Sequence, residues 1–207
     1  MELPKIYTRK GDDGTTGLFN GPRISKASLR VQTYGTIDEL NTAIGVAKIF
    51  SNVPDIKKLL ERIQHKLMNS ASILASPLNN TDPARNATPA RNAVTTAGWH
   101  SAAGGPARLP IITELEVTGL EKCIDYFNTD LLPITTFIVP GQNKAGAFLS
   151  VARTTCRRTE RMIVSLAETE EVDPVIRKFS NRLSDLLFTL ERYEYFAGNI
   201  EEKYWEK

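Results

Sequence analysis

Five stretches of this chain repeat apolar residues at three- and four-residue intervals, and that periodicity confines it to a helical fold. The first begins at Thr36. Thr36 and Glu39 have the spacing of a capping box, and Leu40, Ala43, Ile44, Ala47 and Ile49 follow at helical intervals. The second runs from Pro54, a first-turn position where a missing N–H is harmless, to Ala75, with Ile56, Leu59, Leu60, Ile63, Leu67 and Ile73 inward. Thr113 and Glu116 repeat the capping spacing ahead of a third helix that turns Leu115, Leu120, Ile124 and Phe127 inward around Gly119. A fourth spans Lys144 to Glu170. The fifth opens on Asp173 and Pro174, an N-cap acid and a first-turn proline, and carries Val175, Ile176, Phe179, Leu183, Leu186, Leu187 and Leu190. With short connections between most of them, these segments predict an all-α, five-helix antiparallel bundle.

Two segments break the pattern. Residues 7–35 are polar and rich in glycine and threonine, which reads as an ordered loop or extended arm ahead of the bundle. Residues 77–110 hold five prolines, a near-repeat of PARNA at 83 and 89, and Gly98, Gly104 and Gly105, so they read as a mobile insertion. Trp99 and His100 lie inside it, and a lone histidine there reads as solvated. The 207 residues suit one domain spanning 1–207. A net charge of +2 implies neither nucleic acid nor an acidic membrane as partner, so any functional charge must be local. Cys123 and Cys156 stand far apart with no metal-binding spacing, which argues against a disulfide scaffold or a zinc site and suits a reducing compartment. No apolar run approaches the ~18 residues of a membrane span. The expected address is the cytoplasm, with the mitochondrial matrix as the alternative, although no clear transit peptide is present.

Three clusters carry candidate chemistry. In residues 7–17, YTRKGDDGTTG, glycines let backbone N–H groups converge on an anion while Arg9, Lys10 and the threonines add charge and short hydrogen bonds. This is not a Walker A loop, because the order of glycine, lysine and hydroxyl is wrong and no strand precedes it. A plain turn is the bland reading. On the fourth helix, Arg153, Arg157, Glu160 and Arg161 fall near one face. Like charges four residues apart are destabilising unless an anion or partner carboxylates face them, and a polyphosphate suits guanidinium forks. A salt-bridged subunit contact is the competing reading; nucleic acid is disfavoured because neighbouring turns add neither basic residues nor stacking aromatics. On the fifth helix, Asn181, Ser184 and Asp185 repeat at helical spacing among apolar residues and so face a buried or half-buried site. Asp38 and Asn41 make a similar pair on the first helix, and Asp38 and Asp185 could pair with the fourth-helix arginines.

Taken together, four blocks resemble the PduO-type ATP:corrinoid adenosyltransferases: residues 7–16, YTRKGDDGTT; 34–41, YGTIDELN; 137–141, FIVPG, with 151–161, VARTTCRRTER; and 181–188, NRLSDLLF. They occur in the family's order and span nearly the whole chain outside 77–110. The resemblance implies a five-helix bundle, a homotrimer with ATP at subunit interfaces, a corrinoid substrate, and transfer of the 5′-deoxyadenosyl group of ATP to cob(I)alamin with release of triphosphate. It implies that Thr8, Arg9, Lys10, Gly11, Thr16, Gly17 and Lys26 wrap the triphosphate. Arg157, Arg158, Glu160, Arg161 and Asn181 would meet ATP from the fourth and fifth helices. Arg153 would pair with Asp38 of a neighbouring subunit, and Phe137 would lie under the corrin ring. Mg²⁺ is expected only through the ATP phosphates, with no metal site of the protein's own. The chain departs from the family at two positions: Gln142 replaces a usual second glycine after Gly141, and Ser150 stands where a histidine is common. A non-catalytic ATP- or corrinoid-binding paralogue is the alternative.

Overall fold

The computed structural model describes residues 6–19, 21–76 and 111–206. The 77–110 insertion, with Trp99 and His100, lies outside the described residues. After a two-stranded hairpin, β1 (Thr15–Gly17) and β2 (Arg23–Ser25), come α1 (Leu29–Phe50), α2 (Pro54–Leu74), α3 (Glu114–Asn128), α4 (Lys144–Thr169) and α5 (Pro174–Ala197). The strands pair antiparallel with Thr16 opposite Ile24. Sequential helices run antiparallel. In space α4 packs between α1 and α5, α2 covers α1, and α3 lies on α5. Lys178 to Glu114 and Arg182 to Glu121 hold α3 and α5 side by side and parallel, since both partners advance along the chain together.

The helix ends follow their caps. Thr113 and Glu116 complete the capping box that opens α3, and the Asp173 carboxylate accepts from the Val175 N–H above Pro174 at the start of α5. The core is one cluster of Ile37, Leu40, Ile44, Leu60, Leu149, Ile163, Phe179, Leu183 and their neighbours. Two inward assignments are overturned. Ile49 is exposed at the last turn of α1, and Leu115 is exposed on α3, where Val117 takes the core position instead.

The largest correction concerns where the bundle begins. α1 starts at Leu29, capped by the Ser28 hydroxyl, so Thr36 is no N-cap: its hydroxyl donates to the Gln32 carbonyl one turn back. The polar segment to residue 35 therefore divides into an arm and two helical turns. Those turns escape a periodicity reading because their buried members include Arg30 and Thr33. Arg30 is held by full satisfaction. Its guanidinium donates to Glu170 at 2.7 Å and 2.5 Å, to the Leu74 carbonyl at 2.7 Å and to the Ser76 carbonyl at 3.3 Å, clasping α1 to the ends of α2 and α4.

Arg30→Ala removes the donors to a buried carbonyl end and should cost about 2–3 kcal/mol in urea unfolding. Glu170→Gln, whose carboxylate is partly solvated, should cost less than about 1 kcal/mol. Equal losses would mean the ion pair alone matters.

Candidate active site

The arm is organised by one arginine and one lysine. Arg23 reaches across the hairpin, donating to the Thr15 hydroxyl at 2.6 Å and 3.0 Å and to the Lys10 carbonyl, and lies 3.5 Å from the Asp13 carboxylate. Asp13 accepts from the Thr15 N–H and hydroxyl, and these bonds, the backbone one first, hold its carboxyl below the usual carboxylate range. Lys26 donates to the Gly11 carbonyl at 2.7 Å while its own N–H meets Gly14. Gly14 turns with φ +80°, and a Cβ on Gly11 would meet the Lys26 ammonium at 3.0 Å. Arg9 adopts φ +58°, a left-handed geometry that costs a side-chain-bearing residue roughly 1–2 kcal/mol, and its guanidinium lies 5.4 Å from the Tyr7 ring centre. Asp13 is thus consumed inside the arm, leaving Thr8, Arg9 and Lys10 exposed and Thr16 and Gly17 in β1 beside them.

The second cluster lies on α4. Arg157, Arg158 and Arg161 are exposed and Arg153 and Glu160 half-buried, on a helix whose other face (Ala152, Cys156, Thr159, Ile163) is core. Arg158 pairs with Glu39 of α1. Arg157 and Arg161 make no hydrogen bond or ion pair among the described residues. Among the described residues the buried Arg153 Nε finds no hydrogen-bond partner, while its guanidinium lies 5.8 Å from the Phe188 ring centre, and the buried Asn41 Oδ1 likewise finds none. Asp38 is exposed and makes no ion pair among the described residues.

The three polar residues of α5 separate. Asn181 donates to Glu160 at 3.0 Å and accepts from Arg182 at 2.8 Å; Ser184 goes into the core. Within the protomer Asp185 stands 3.8 Å from Arg182 and makes no ion pair with an α4 arginine among the described residues; partial burial first, then the Glu160 charge, raises its carboxyl despite Arg182 and Arg157. Asn181, Arg182 and Glu160, with Glu114, Glu121 and Arg177, line a cleft of about 390 Å³ between α3 and α5. Residues 8–26 make no hydrogen bond or ion pair with α4 among the described residues, so these residues and the α4 arginines form two separate halves.

The connector between α3 and α4 forms a third feature. Phe137 is 78% exposed and meets Trp205 edge-on at 6.3 Å; with Ile138, Val139 and Pro140 they line an apolar cleft of about 380 Å³. The C-terminal segment pairs with this connector through Val139 N–H to Lys203 O at 2.7 Å and Trp205 N–H to Phe137 O at 2.8 Å. Gln142 braces the turn by donating to the Val139 carbonyl, and Ser150 faces inward to the buried Glu191.

The profile of the cobalamin adenosyltransferase family matches residues 6–194. The chain belongs to that family. The corrinoid adenosyltransferase PduO of Citrobacter freundii is 36% identical over 98% of this chain, and the corrinoid adenosyltransferase MMAB of Bos taurus is 36% identical over 100%. The chain spans 54% of the first protein's length and 78% of the second's. A variant PduO-type ATP:corrinoid adenosyltransferase from Lactobacillus reuteri, solved with cobalamin and ATP, superposes with TM-score 0.81 at 29% identity, covering 98% of this chain and 100% of that one.

In this adenosyltransferase fold the sequence singled out Lys26 but missed what it does in the arm, and it missed Arg23, Glu39, Arg182 and Trp205. Gly21 and Pro22 between two short strands were the signal for the hairpin that brings Arg23 to Thr15. Nothing local could have paired Trp205 with Phe137, 68 residues away.

Lys26→Ala frees the Gly11 carbonyl, so amide exchange across residues 11–17 should quicken several-fold while global stability stays within about 0.5 kcal/mol. Unchanged exchange would remove Lys26 as the organiser of the arm.

Proposed function

We propose that this chain transfers the 5′-deoxyadenosyl group of ATP to the cobalt of cob(I)alamin or a related corrinoid, releasing inorganic triphosphate. The observation that carries the reading is the α4 arginine face. Arg153, Arg157 and Arg161 hold like charges at one-turn spacing, and among the described residues none of them has an ion-pair partner. A bound polyanion answers that imbalance, and guanidinium forks match phosphate oxygens. The arm supplies the complementary half: Thr8, Arg9, Lys10, Gly11, Thr16, Gly17 and the remaining donors of Lys26. Because residues 8–26 make no hydrogen bond or ion pair with α4 among the described residues, we place ATP between the arm of one copy and α4 and α5 of the next, with Asn181 and Glu160 beside it.

A homotrimer closed in this way accounts for two further groups. Asp38 of a neighbouring copy would satisfy Arg153, whose Nε is buried and unpaired here. Exposed Ile49, at 72%, and Val151, at 51%, would find cover at the same interface. The cytoplasm is the compartment we favour, in keeping with two free cysteines.

The chemistry needs no protein base. The cobalt(I) electron pair forms the bond to the ribose C5′ as the C5′–O5′ bond breaks, and the departing pair stays on the triphosphate. The protein must align carbon and metal and stabilise charge growing on the leaving oxygens. Arg157, Arg158, Arg161 and the arm do the second task. Phe137, an exposed ring with no donor atom, covers the lower face of the corrinoid and keeps an axial ligand from cobalt. Mg²⁺ would rest on the ATP phosphates, whose oxygens suit a hard cation.

Under reducing, anaerobic conditions, ATP and cobalamin should yield the visible spectrum of a cobalt–carbon species. Nucleotide binding without that spectrum would instead indicate a non-catalytic relative. Arg157→Ala should lower kcat by about 100-fold or more with the oligomer intact; unaltered kinetics would remove the assignment. ATP at 100 times its Kd should add about 2.7 kcal/mol of stability, read as a raised Tm.

A further inference from the structure

Behind the Phe137 connector runs a chain of hydrogen bonds that ends in a buried carboxylate. Gly141 N–H donates to the Tyr195 hydroxyl at 3.0 Å, and Gln142 N–H approaches the same oxygen at 3.4 Å. Tyr195 donates in turn to Glu191 Oε1 at 2.8 Å, and Ser150 of α4 donates to Glu191 Oε2 at 2.6 Å. Tyr195 is fully buried, Glu191 is 2% exposed and Ser150 is 7% exposed. Every role is forced. The loop N–H groups can only donate, so the tyrosine oxygen must accept from them and spend its single hydrogen on Glu191. Burial and the Glu191 contact raise the phenol to about 12, which keeps that hydrogen in place at neutral pH.

The ring is fixed as firmly as its hydroxyl. A Cβ on Gly146 would lie 2.3 Å from the Tyr195 ring, so the phenol is wedged against bare α4 backbone. Gly141 turns with φ +95° between the two bonded amides, its own and that of Gln142. The connector is therefore gripped from two sides, by the C-terminal segment at Phe137 and Val139 and by Tyr195 at Gly141.

We infer that Tyr195, set by Glu191 and Ser150, is a positioning group that fixes the connector carrying Phe137 for the corrinoid step. It touches neither substrate, and it rests on the reading of Phe137 as the side chain facing the corrinoid. A network that merely stabilised the bundle would bear on ATP and corrinoid steps alike; a positioning network acts through Phe137 alone.

The test is a double-mutant cycle in the full chain with ATP and chemically reduced cobalamin. Tyr195→Phe keeps the ring and deletes the link. Amide exchange at Gly141 and Gln142 should quicken about tenfold or more. The kcat/KM for cobalamin should fall about tenfold while the Kd for ATP changes less than about twofold. In the Phe137→Ala background the same change should lower turnover by less than about twofold. Ser150→Ala, two links from the loop, should shift each readout in the same direction and by less, and it carries the cycle if Tyr195→Phe does not fold. Equal losses in both backgrounds, or unchanged exchange at Gly141 and Gln142, would overturn the inference. A wild-type chain that forms no cobalt–carbon species, yet shows faster exchange in Tyr195→Phe, would sink the proposed reaction and leave the anchoring intact.

Discussion

Everything in this molecule turns on α4 being held between α1 and α5 while Arg157 and Arg161 stay exposed on its outer side. Leu149, Ala152, Cys156, Thr159, Ile163 and Leu166 are buried along one side, and each helix of the sandwich contributes a polar clasp. Thr159 donates to the Thr36 carbonyl at 3.3 Å, and the Cys156 thiol, pushed up by burial, donates to the Ser180 carbonyl at 3.2 Å. In that packing Arg157 and Arg161 form no ion pair with a carboxylate among the described residues. Core burial thus maintains an unneutralised cationic stripe that an isolated helix would avoid. The electrostatic imbalance is a consequence of the hydrophobic one.

The arm shows the opposite economy. It has almost no apolar surface to bury, so hydrogen bonds and one ion pair must order it. Arg23 and Asp13 are spent on that task, and their charges largely cancel within the hairpin. The side-chain charges of Arg9 and Lys10 remain outside those hydrogen bonds, with Arg9 in a left-handed backbone. Sorting charges into those that build the arm and those that it displays is what makes the segment a candidate anion cradle rather than a polar tail.

Much of the fold was legible because burial and helix caps write themselves into local spacing. Asp173 with Pro174, Thr113 with Glu116 and Pro54 each mark a real helix start. Leu29 did not, since the two turns after it bury Arg30 and Thr33, and only tertiary partners on α2 and α4 make that tolerable. Ile49 and Leu115 fail for a related reason: helical spacing says which residues share a face, not whether the neighbouring helix extends far enough to cover them. At the site, the arginine stripe could be read from like charges four apart, a local pattern. The contacts of Glu39, Arg23 and Trp205 could not, because each joins residues whose distance along the chain carries no periodic signal.

The two departures from the family pattern, Gln142 and Ser150, share no local motif but lie at opposite ends of one hydrogen-bond chain. Gln142 sits at the loop end. Its φ is not positive, so the turn there requires no second glycine, and its side chain closes the turn on the Val139 carbonyl. Ser150 sits at the other end, giving its hydrogen to Glu191 where no solvent could do so. A buried carboxylate with two oxygens needs two donors, and Ser150 and Tyr195 are the two that reach it. The Gln142 side chain therefore acts on the connector directly, at Val139, whereas Ser150 acts on it through Glu191 and the Tyr195 phenol at Gly141.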